Sequence, residues 1–218
     1  MSYLQRVNKI LLALYFLSVF SYAQDNNKPK HNTPVMTHPT NINFEDNDSK
    51  HTDLTLLSQL HKIGEGKMKV LFWKVYKAEF YAKKISDQTN EYPQALKLTY
   101  QRNIDKKEFI DATEDQWNKL NQQHPTKKTS KVLEKKWLAE LNNIFPDINE
   151  NDVILFTLNE HKQANFYFKK FDKAQKKHLG NYQLIGSIND PLFGDHFLSI
   201  WLSKYTSEPA LRKKLLNL

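Results

Sequence analysis

The chain has 218 residues and contains no cysteine. Without thiols it can form no disulfide, bind no metal through thiolate and carry no lipid-modified cysteine. Its apolar stretch from Ile10 to Phe20 has only eleven residues, whereas a helix that spans a bilayer needs about 20. These absences exclude a disulfide-stapled fold and a thiolate zinc site, and they argue against a membrane-spanning helix.

Signatures of catalysis and of metal binding are missing as well. The sequence has no Gly-x-Ser-x-Gly nucleophile elbow and no glycine-rich phosphate loop. Its eight histidines form neither a His-x-His nor a His-x-x-x-His pair, and closely spaced histidines of this kind are typical of zinc sites. The sequence therefore predicts no cofactor and no metal site, and it contains no hydrolase motif.

The N terminus has the features of a secretory signal. Arg6 and Lys9 precede the apolar stretch, and Ser21-Tyr22-Ala23 follows it as a small-x-small cleavage site. We expect residues 1–23 to be removed after Ala23, with Gln24 as the first mature residue; an uncleaved membrane anchor is the alternative. An exported chain without cysteine suits a bacterial periplasm, so the expected localisation is periplasmic or secreted.

Residues 24–55 are rich in Asn, Asp, Lys, Thr, Pro and His and nearly free of large apolar side chains. Such a segment cannot bury enough surface to order itself, which predicts a flexible tether. The formal net charge of the chain is +8, but its lysines are scattered, which argues against a nucleic-acid partner. A solvated basic surface is the main interpretation, and peripheral contact with an anionic membrane surface is the alternative.

Residues 56–218 form the predicted folded domain. The run from Met68 to Ala82 places apolar side chains on one face at a period of two, interrupted only at Lys74, which predicts one long central strand. Leu57 to Ile63 predicts a strand before it. The segment Gly64-Glu65-Gly66 predicts the turn between these two strands.

The rest of the domain mixes strands and helices. A strand that starts at Tyr92-Pro93 places Leu96, Leu98, Tyr100 and Arg102 on one face. Helices are predicted to begin after Asp105, which has Glu108 three residues on, after Ser130 and at Asp190-Pro191, and a last helix is predicted over 207–216. Strands are predicted over 153–158, 165–171 and 182–188. A lysine-rich insertion from Lys169 to Lys177 separates the last two strands. This order predicts an α+β fold, in which a large antiparallel sheet is covered on one face by helices.

Five motifs in this domain carry a family resemblance. They are Gly64-x-Gly66, Leu71-Phe72-Trp73-x-Val75-Tyr76-x-Ala78-x-x-Tyr81, Ala95-Leu96-x-Leu98-x-Tyr100-x-Arg102, Phe145-Pro146-Asp147 and Gly186-x-Ile188-x-Asp190-Pro191-x-Phe193. With these motifs the chain resembles the bacterial chalcone isomerase-like proteins. The resemblance implies an open-faced β-sandwich with an apolar cleft between its sheet and its helices. The wider superfamily includes plant isomerases that close a flavanone ring and relatives that bind fatty acids.

The resemblance does not carry the plant reaction over to this chain. The position of the plant catalytic threonine falls on Tyr76, and the position of the essential arginine falls near Gly64 to Gly66, where no arginine stands. Fold alone does not determine function. The resemblance therefore leaves isomerase activity as an alternative rather than as the first expectation.

Four polar side chains are the candidate ligand-binding residues, namely Arg102, Tyr100, Tyr76 and Lys74. An arginine at the end of an apolar face can hold a carboxylate with two parallel hydrogen bonds, and the tyrosine hydroxyls can add donors. Each residue also has a structural alternative. The arginine can pair with Asp105, Glu108 or Asp111, the tyrosines can bond to backbone groups, and a β-bulge can turn Lys74 to solvent.

Three functions are consistent with these residues. The first is a binding module for a small apolar or carboxylate ligand such as a fatty acid, which is favoured because the apolar face ends in Arg102. The second is an isomerase, or intramolecular lyase, that acts on an enone-like substrate with Tyr76, Tyr100 or Lys74 as proton donor. The third is a non-catalytic envelope protein that meets a membrane or a protein partner through the tether and the insertion from Lys169 to Lys177.

Overall fold

A computed structural model describes residues 55–83, 91–124 and 129–218. The signal peptide expected for residues 1–23 lies outside these ranges, and so does the tether expected for residues 24–55, except for residue 55. The elements are β1 (His61–Val70), β2 (Trp73–Ala82), β3 (Gln94–Tyr100), α1 (Lys106–Gln123), α2 (Lys131–Ile144), β4 (Val153–Leu158), β5 (Ala164–Lys169), β6 (Phe171–Asp172), β7 (Lys177–His178), β8 (Gln183–Ile188), α3 (Phe193–Leu202) and α4 (Pro209–Leu215). The described residues within 55–69 and 73–218 belong to one compact unit.

Six of the strands form one sheet in the order β1-β2-β3-β4-β5-β8. The pairs from β2 to β8 are antiparallel, with Tyr76 opposite Tyr100, Leu96 opposite Phe156 and Phe156 opposite Phe166. Strands β6 and β7 pair separately inside the predicted lysine-rich insertion. The large antiparallel sheet and its helices confirm the predicted α+β fold.

One face of the sheet packs against the helices. Buried side chains of this face, including Phe80, Leu96, Phe156 and Phe166, belong to the same core cluster as residues of all four helices. The opposite face carries a smaller cluster around Leu155 and Tyr167. A sheet with one face under helices and a sparser second face is the open-faced sandwich that the sequence resemblance implies.

The prediction of one strand from Met68 to Ala82 was wrong. The run forms two strands, β1 and β2, which are hydrogen-bonded neighbours joined by Leu71 and Phe72. Leu71 has a φ of 55°, in the left-handed region that tight turns use. Because side chains alternate with the same period in both strands, the alternation does not reveal where one strand ends.

The predicted turn at Gly64-Glu65-Gly66 was also wrong, and of the strand predicted from Leu57 to Ile63 only residues 61–63 are in a strand. The two glycines lie inside β1, and residues 55–58 form a helical turn. A Cβ at Gly64 would collide with the backbone carbonyl of Lys214 and lie 2.6 Å from that of Leu215. These glycines therefore permit close approach of α4 to the strand rather than a change of chain direction.

The starts of the helices agree more closely with the prediction. The side chain of Asp105 accepts a hydrogen bond of 2.7 Å from the Glu108 amide and caps α1 as predicted. Helix α3 begins at Phe193, two residues after Pro191, because Asp190 accepts from the Leu192 amide in a preceding turn. Within the described residues, no helix combines the length and the apolar character that a membrane span requires.

A charged network lies on the opposite face of the sheet. The nearly buried carboxylate of Glu79 is 2.8 Å from the ammonium of Lys97, 3.4 Å from that of Lys77 and 4.0 Å from that of Lys62. Burial alone would raise the pKa of Glu79, but the hydrogen bond and charge of Lys97, followed by those of Lys77, hold it below the ordinary value of 4.5. The network thus favours the ionised carboxylate in the folded state.

Glu79→Gln is expected to lower the free energy of unfolding at pH 7 by about 1 kcal/mol. Since the pKa of Glu79 is lower in the folded than in the unfolded state, its contribution is present above pH 4.5 and is lost as the pH falls through the folded value. Urea unfolding at pH 7 and at pH 3 should therefore show a smaller difference between variant and wild type in acid. The exposed pair Lys136 and Glu140 offers the control Glu140→Gln, which should change little at either pH.

Candidate ligand-binding site

Two tyrosines, the half-buried Tyr76 and the buried Tyr100, form the centre of the candidate site. Tyr76 of β2 lies directly opposite Tyr100 of β3, and their rings meet edge to face with centroids 5.9 Å apart. Both belong to the face of the sheet that the helices cover. The structure therefore brings together two of the four candidate residues, as the shared strand period predicts.

Helix α3 adds a third side chain to this pair. The indole Nε1 of Trp201 donates a hydrogen bond of 2.9 Å to the Tyr76 hydroxyl. Since this bond uses a lone pair of the phenol oxygen, the hydroxyl keeps its own proton for another acceptor. Trp201 lies 125 positions after Tyr76, so no local sequence pattern predicts this hydrogen bond.

Both phenols are held in the protonated form. Burial raises the pKa of Tyr76 well above its ordinary value, against the lowering effect of the Trp201 hydrogen bond, and the charge of Glu208 raises it further. Burial also raises the pKa of Tyr100, with a smaller contribution from Tyr76. Among the described residues, none forms a hydrogen bond with the Tyr100 hydroxyl. The pair can therefore act as hydrogen-bond donors and not as general bases.

Arg102 lies two residues beyond the end of β3 and forms an ion pair with Glu108 in the first turn of α1. This is one of the three pairings that the sequence left open. The guanidinium is partly buried, which lowers its pKa, while the charge of Asp105 raises it. An arginine stays charged under these conditions, so Arg102 is a cation that already has a carboxylate partner.

Lys74 is exposed near the start of β2, two residues before Tyr76. The sequence had offered this solvent-exposed position as the alternative to a role in the cleft. Lys74 is therefore not part of the site under the helices, whose remaining tyrosine candidates are the half-buried Tyr76 and the buried Tyr100.

The interior between sheet and helices is filled largely by aromatic rings. Phe166 contacts both Phe193 and Phe197, and Phe197 in turn contacts Trp201 with ring centroids 5.3 Å apart. Elsewhere, a groove of about 440 Å³ is lined by Lys136, Glu140, Ser187, Asn189, Asp190 and Pro191. This groove is mainly polar, and none of the candidate residues lines it.

A polar cluster that the sequence did not reveal lies within the helical layer. The buried carboxylate of Glu134 accepts hydrogen bonds from Asn121 at 2.8 Å, Lys131 at 2.8 Å and His196 Nε2 at 3.0 Å. Because a carboxylate only accepts, Nε2 of His196 carries a proton, and its Nδ1 lies 3.1 Å from the Thr129 hydroxyl. Within the described ranges, no group of acidic residues and histidines is arranged to hold a metal ion.

Comparisons with known proteins agree with this architecture. A family model described as chalcone isomerase-like matches residues 51–217. The crystal structure of a fatty-acid binding protein from Arabidopsis thaliana superposes with a TM-score of 0.51 at 13% sequence identity, over 73% of this chain and 88% of that one. At this identity the superposition shows a shared fold only. Among curated proteins, none matches the sequence.

Proposed function

The chain belongs to the chalcone isomerase-like family, and on that premise we propose that it binds a small amphipathic carboxylate, such as a fatty acid, between its sheet and its helices. The observation that carries the proposal is the contact between two protonated phenols on the covered face, those of the half-buried Tyr76 and the buried Tyr100. The fold shared with a fatty-acid binding protein supports the same ligand class. The expected export of the chain remains part of the proposal.

The head group is the part of the ligand that the polar residues recognise. Hydroxyl donors in an apolar setting form strong, charge-assisted hydrogen bonds to a carboxylate. We propose that the Tyr100 hydroxyl donates directly to the ligand and that the Tyr76 hydroxyl, oriented by Trp201, donates the second bond. The guanidinium of Arg102 supplies the counter-charge when the ligand carboxylate replaces Glu108 as its partner.

The tail requires space that the aromatic rings occupy. Both Phe197 and Trp201 lie on α3; Phe197 contacts Phe166 of the sheet, and Trp201 contacts Tyr76. Because the interior is closely packed there, a bound tail requires side chains of α3 to move, and we propose that ligand binding opens the apolar cleft between α3 and the sheet. Since Trp201 bonds to Tyr76, ligand entry is expected to change the fluorescence of this tryptophan.

Native mass spectrometry of the chain recovered from the periplasm tests the ligand and the export together. The expected spectrum shows a chain that starts at Gln24 with a displaceable fatty acid. After delipidation, a long-chain fatty acid should bind again and its methyl ester should bind more weakly, because the ester cannot accept a charge-assisted bond. Failure of the delipidated protein to bind the acid contradicts the proposal.

Tyr100→Phe is expected to weaken fatty-acid binding about tenfold, because one hydrogen bond to a charged group is lost. The variant keeps the ring and hence the edge-to-face contact with Tyr76. Tyr81→Phe is the matched control, since Tyr81 lies on β2 but packs against the cluster on the other face of the sheet. Equal affinities for wild type and Tyr100→Phe would refute the role of the phenol pair.

The same protonated phenols favour the isomerase as a second candidate function. A phenol that keeps its proton can protonate a developing enolate, which ring closure of an enone generates. Loss of chalcone absorbance on addition of the protein, abolished in Tyr76→Phe or Tyr100→Phe, would assign this activity. A binding protein instead leaves the chalcone unchanged.

A further inference from the structure

The connection between β1 and β2 exposes three consecutive large apolar side chains. Leu71 is 56% exposed, Phe72 is 96% exposed and Trp73 is 73% exposed. The other three tryptophans of the chain, Trp117, Trp137 and Trp201, are all buried. Single exposed apolar residues are common on soluble proteins, but a contiguous group that includes two aromatic rings marks an interaction site.

Positive charge surrounds this apolar tip. Lys67, Lys69 and Lys74 are all exposed, and no described acidic side chain forms an ion pair with any of them. The sequence from Lys67 to Ala78 contains no aspartate or glutamate. The segment therefore combines an apolar end with flanking lysines that form no ion pair among the described residues. This positive charge complements a negatively charged surface.

The apolar side chains belong to a tight connection. Strands of ten residues lead into and out of a two-residue connection, and both belong to the sheet. Leu71 adopts a φ of 55° although it is not a glycine. A bulky side chain in the left-handed region costs free energy, so a leucine here is unfavourable for the turn itself and is better explained by a role in contact with a partner.

We propose that residues 67–74 dock the protein on an anionic lipid surface. Leu71 and Phe72 enter the boundary between head groups and acyl chains, and the indole of Trp73 lies at head-group level. The three lysines contact lipid phosphates, so affinity depends on the fraction of anionic lipid. Docking through residues 67–74 is independent of the ligand proposed above, since that ligand contacts Tyr76, Tyr100 and Arg102.

The fluorescence of Trp73 reports contact of the full chain with lipid. Because Trp73 is the exposed tryptophan of the four, its emission should shift to the blue and become protected from aqueous quenchers when vesicles are added. Vesicles of phosphatidylcholine with phosphatidylglycerol should produce the shift. Vesicles of phosphatidylcholine alone should bind on the order of a hundredfold more weakly, from the loss of three lysine contacts.

Phe72→Ser should weaken vesicle binding about tenfold or more, through the loss of one buried aromatic ring. Trp73→Phe should keep co-sedimentation with vesicles but lose the blue shift, which assigns the signal. Leu192→Ser removes another exposed apolar side chain and serves as the control for non-specific hydrophobic adsorption to the vesicles. A double variant of Lys173→Gln and Lys176→Gln tests the lysine-rich insertion and should bind as wild type does.

Three outcomes would overturn the proposal. One is the absence of association with anionic vesicles. Another is association without any change in Trp73 emission, which would assign the contact to a different part of the chain, such as residues 10–20 or the insertion. The third is a blue shift that persists in Trp73→Phe, because it would then come from a buried tryptophan.

Discussion

Gly64→Ala is expected to destabilise the domain strongly. The new Cβ would overlap the backbone carbonyl of Lys214 and lie 2.6 Å from the Leu215 carbonyl oxygen. Backbone atoms in a packed helix cannot rotate away, so the collision is relieved only by moving α4 off the sheet. We expect the free energy of unfolding to fall by about 3 kcal/mol, which is a large part of the 5–15 kcal/mol typical of a domain.

The neighbouring glycine provides the matched control. A Cβ at Gly66 would lie 2.5 Å from the Leu211 side chain and 3.3 Å from the Lys214 Cβ. Because the nearest atom belongs to a side chain that can change rotamer, Gly66→Ala should cost about 1 kcal/mol. Urea unfolding of both variants checks the difference. Equal effects would show that α4 does not approach β1 through its backbone.

Glu134→Ala is expected to have the second large effect. The variant leaves the Asn121 amide, the Lys131 ammonium and the His196 ring without their shared acceptor. Asn121 is buried and His196 is nearly so, which keeps the donors of these two side chains from replacing their lost hydrogen bonds with bonds to water. We expect a loss of about 3 to 4 kcal/mol of unfolding free energy, which is the range for breaking a buried charged contact.

Two variants separate the buried bonds from the exposed ion pair in this cluster. Lys131→Gln removes a partner whose side chain is largely exposed, so it should cost less than about 1 kcal/mol. Glu134→Gln keeps an oxygen acceptor for Asn121 and His196 and should fall between the other two. If Glu134→Ala unfolded at the same denaturant concentration as wild type, the cluster would contribute nothing to the fold.

Features with local causes were predictable from the sequence. The cap of α1 depends on Asp105 and Glu108, three residues apart, and it forms as predicted. The same holds for β3, whose alternating Leu96, Leu98 and Tyr100 are all buried on one face. In contrast, the turn at Leu71 and Phe72 was missed, because two strands with the same alternation look like one.

The candidate site was only partly predictable for the same reason. Period-two spacing put Tyr76 and Tyr100 on the inward faces of their strands, but strand register decided that they face each other. The ion pair of Arg102 with Glu108 joins residues six positions apart and was among the predicted pairings. The Trp201 donor comes from a helix 125 positions later in the sequence than Tyr76, so no local pattern predicts the hydrogen bond.

The α+β class, the approximate starts of the helices and the family could be inferred from the amino-acid sequence, because they depend on residues close together in the chain. Which side chains meet depended on the fold. The fold brings Trp201 to Tyr76, places α4 against Gly64 and leaves Phe72 and Trp73 exposed at a turn. Contacts of this kind join distant segments, and they depend on strand register and helix packing, which no short stretch of sequence encodes.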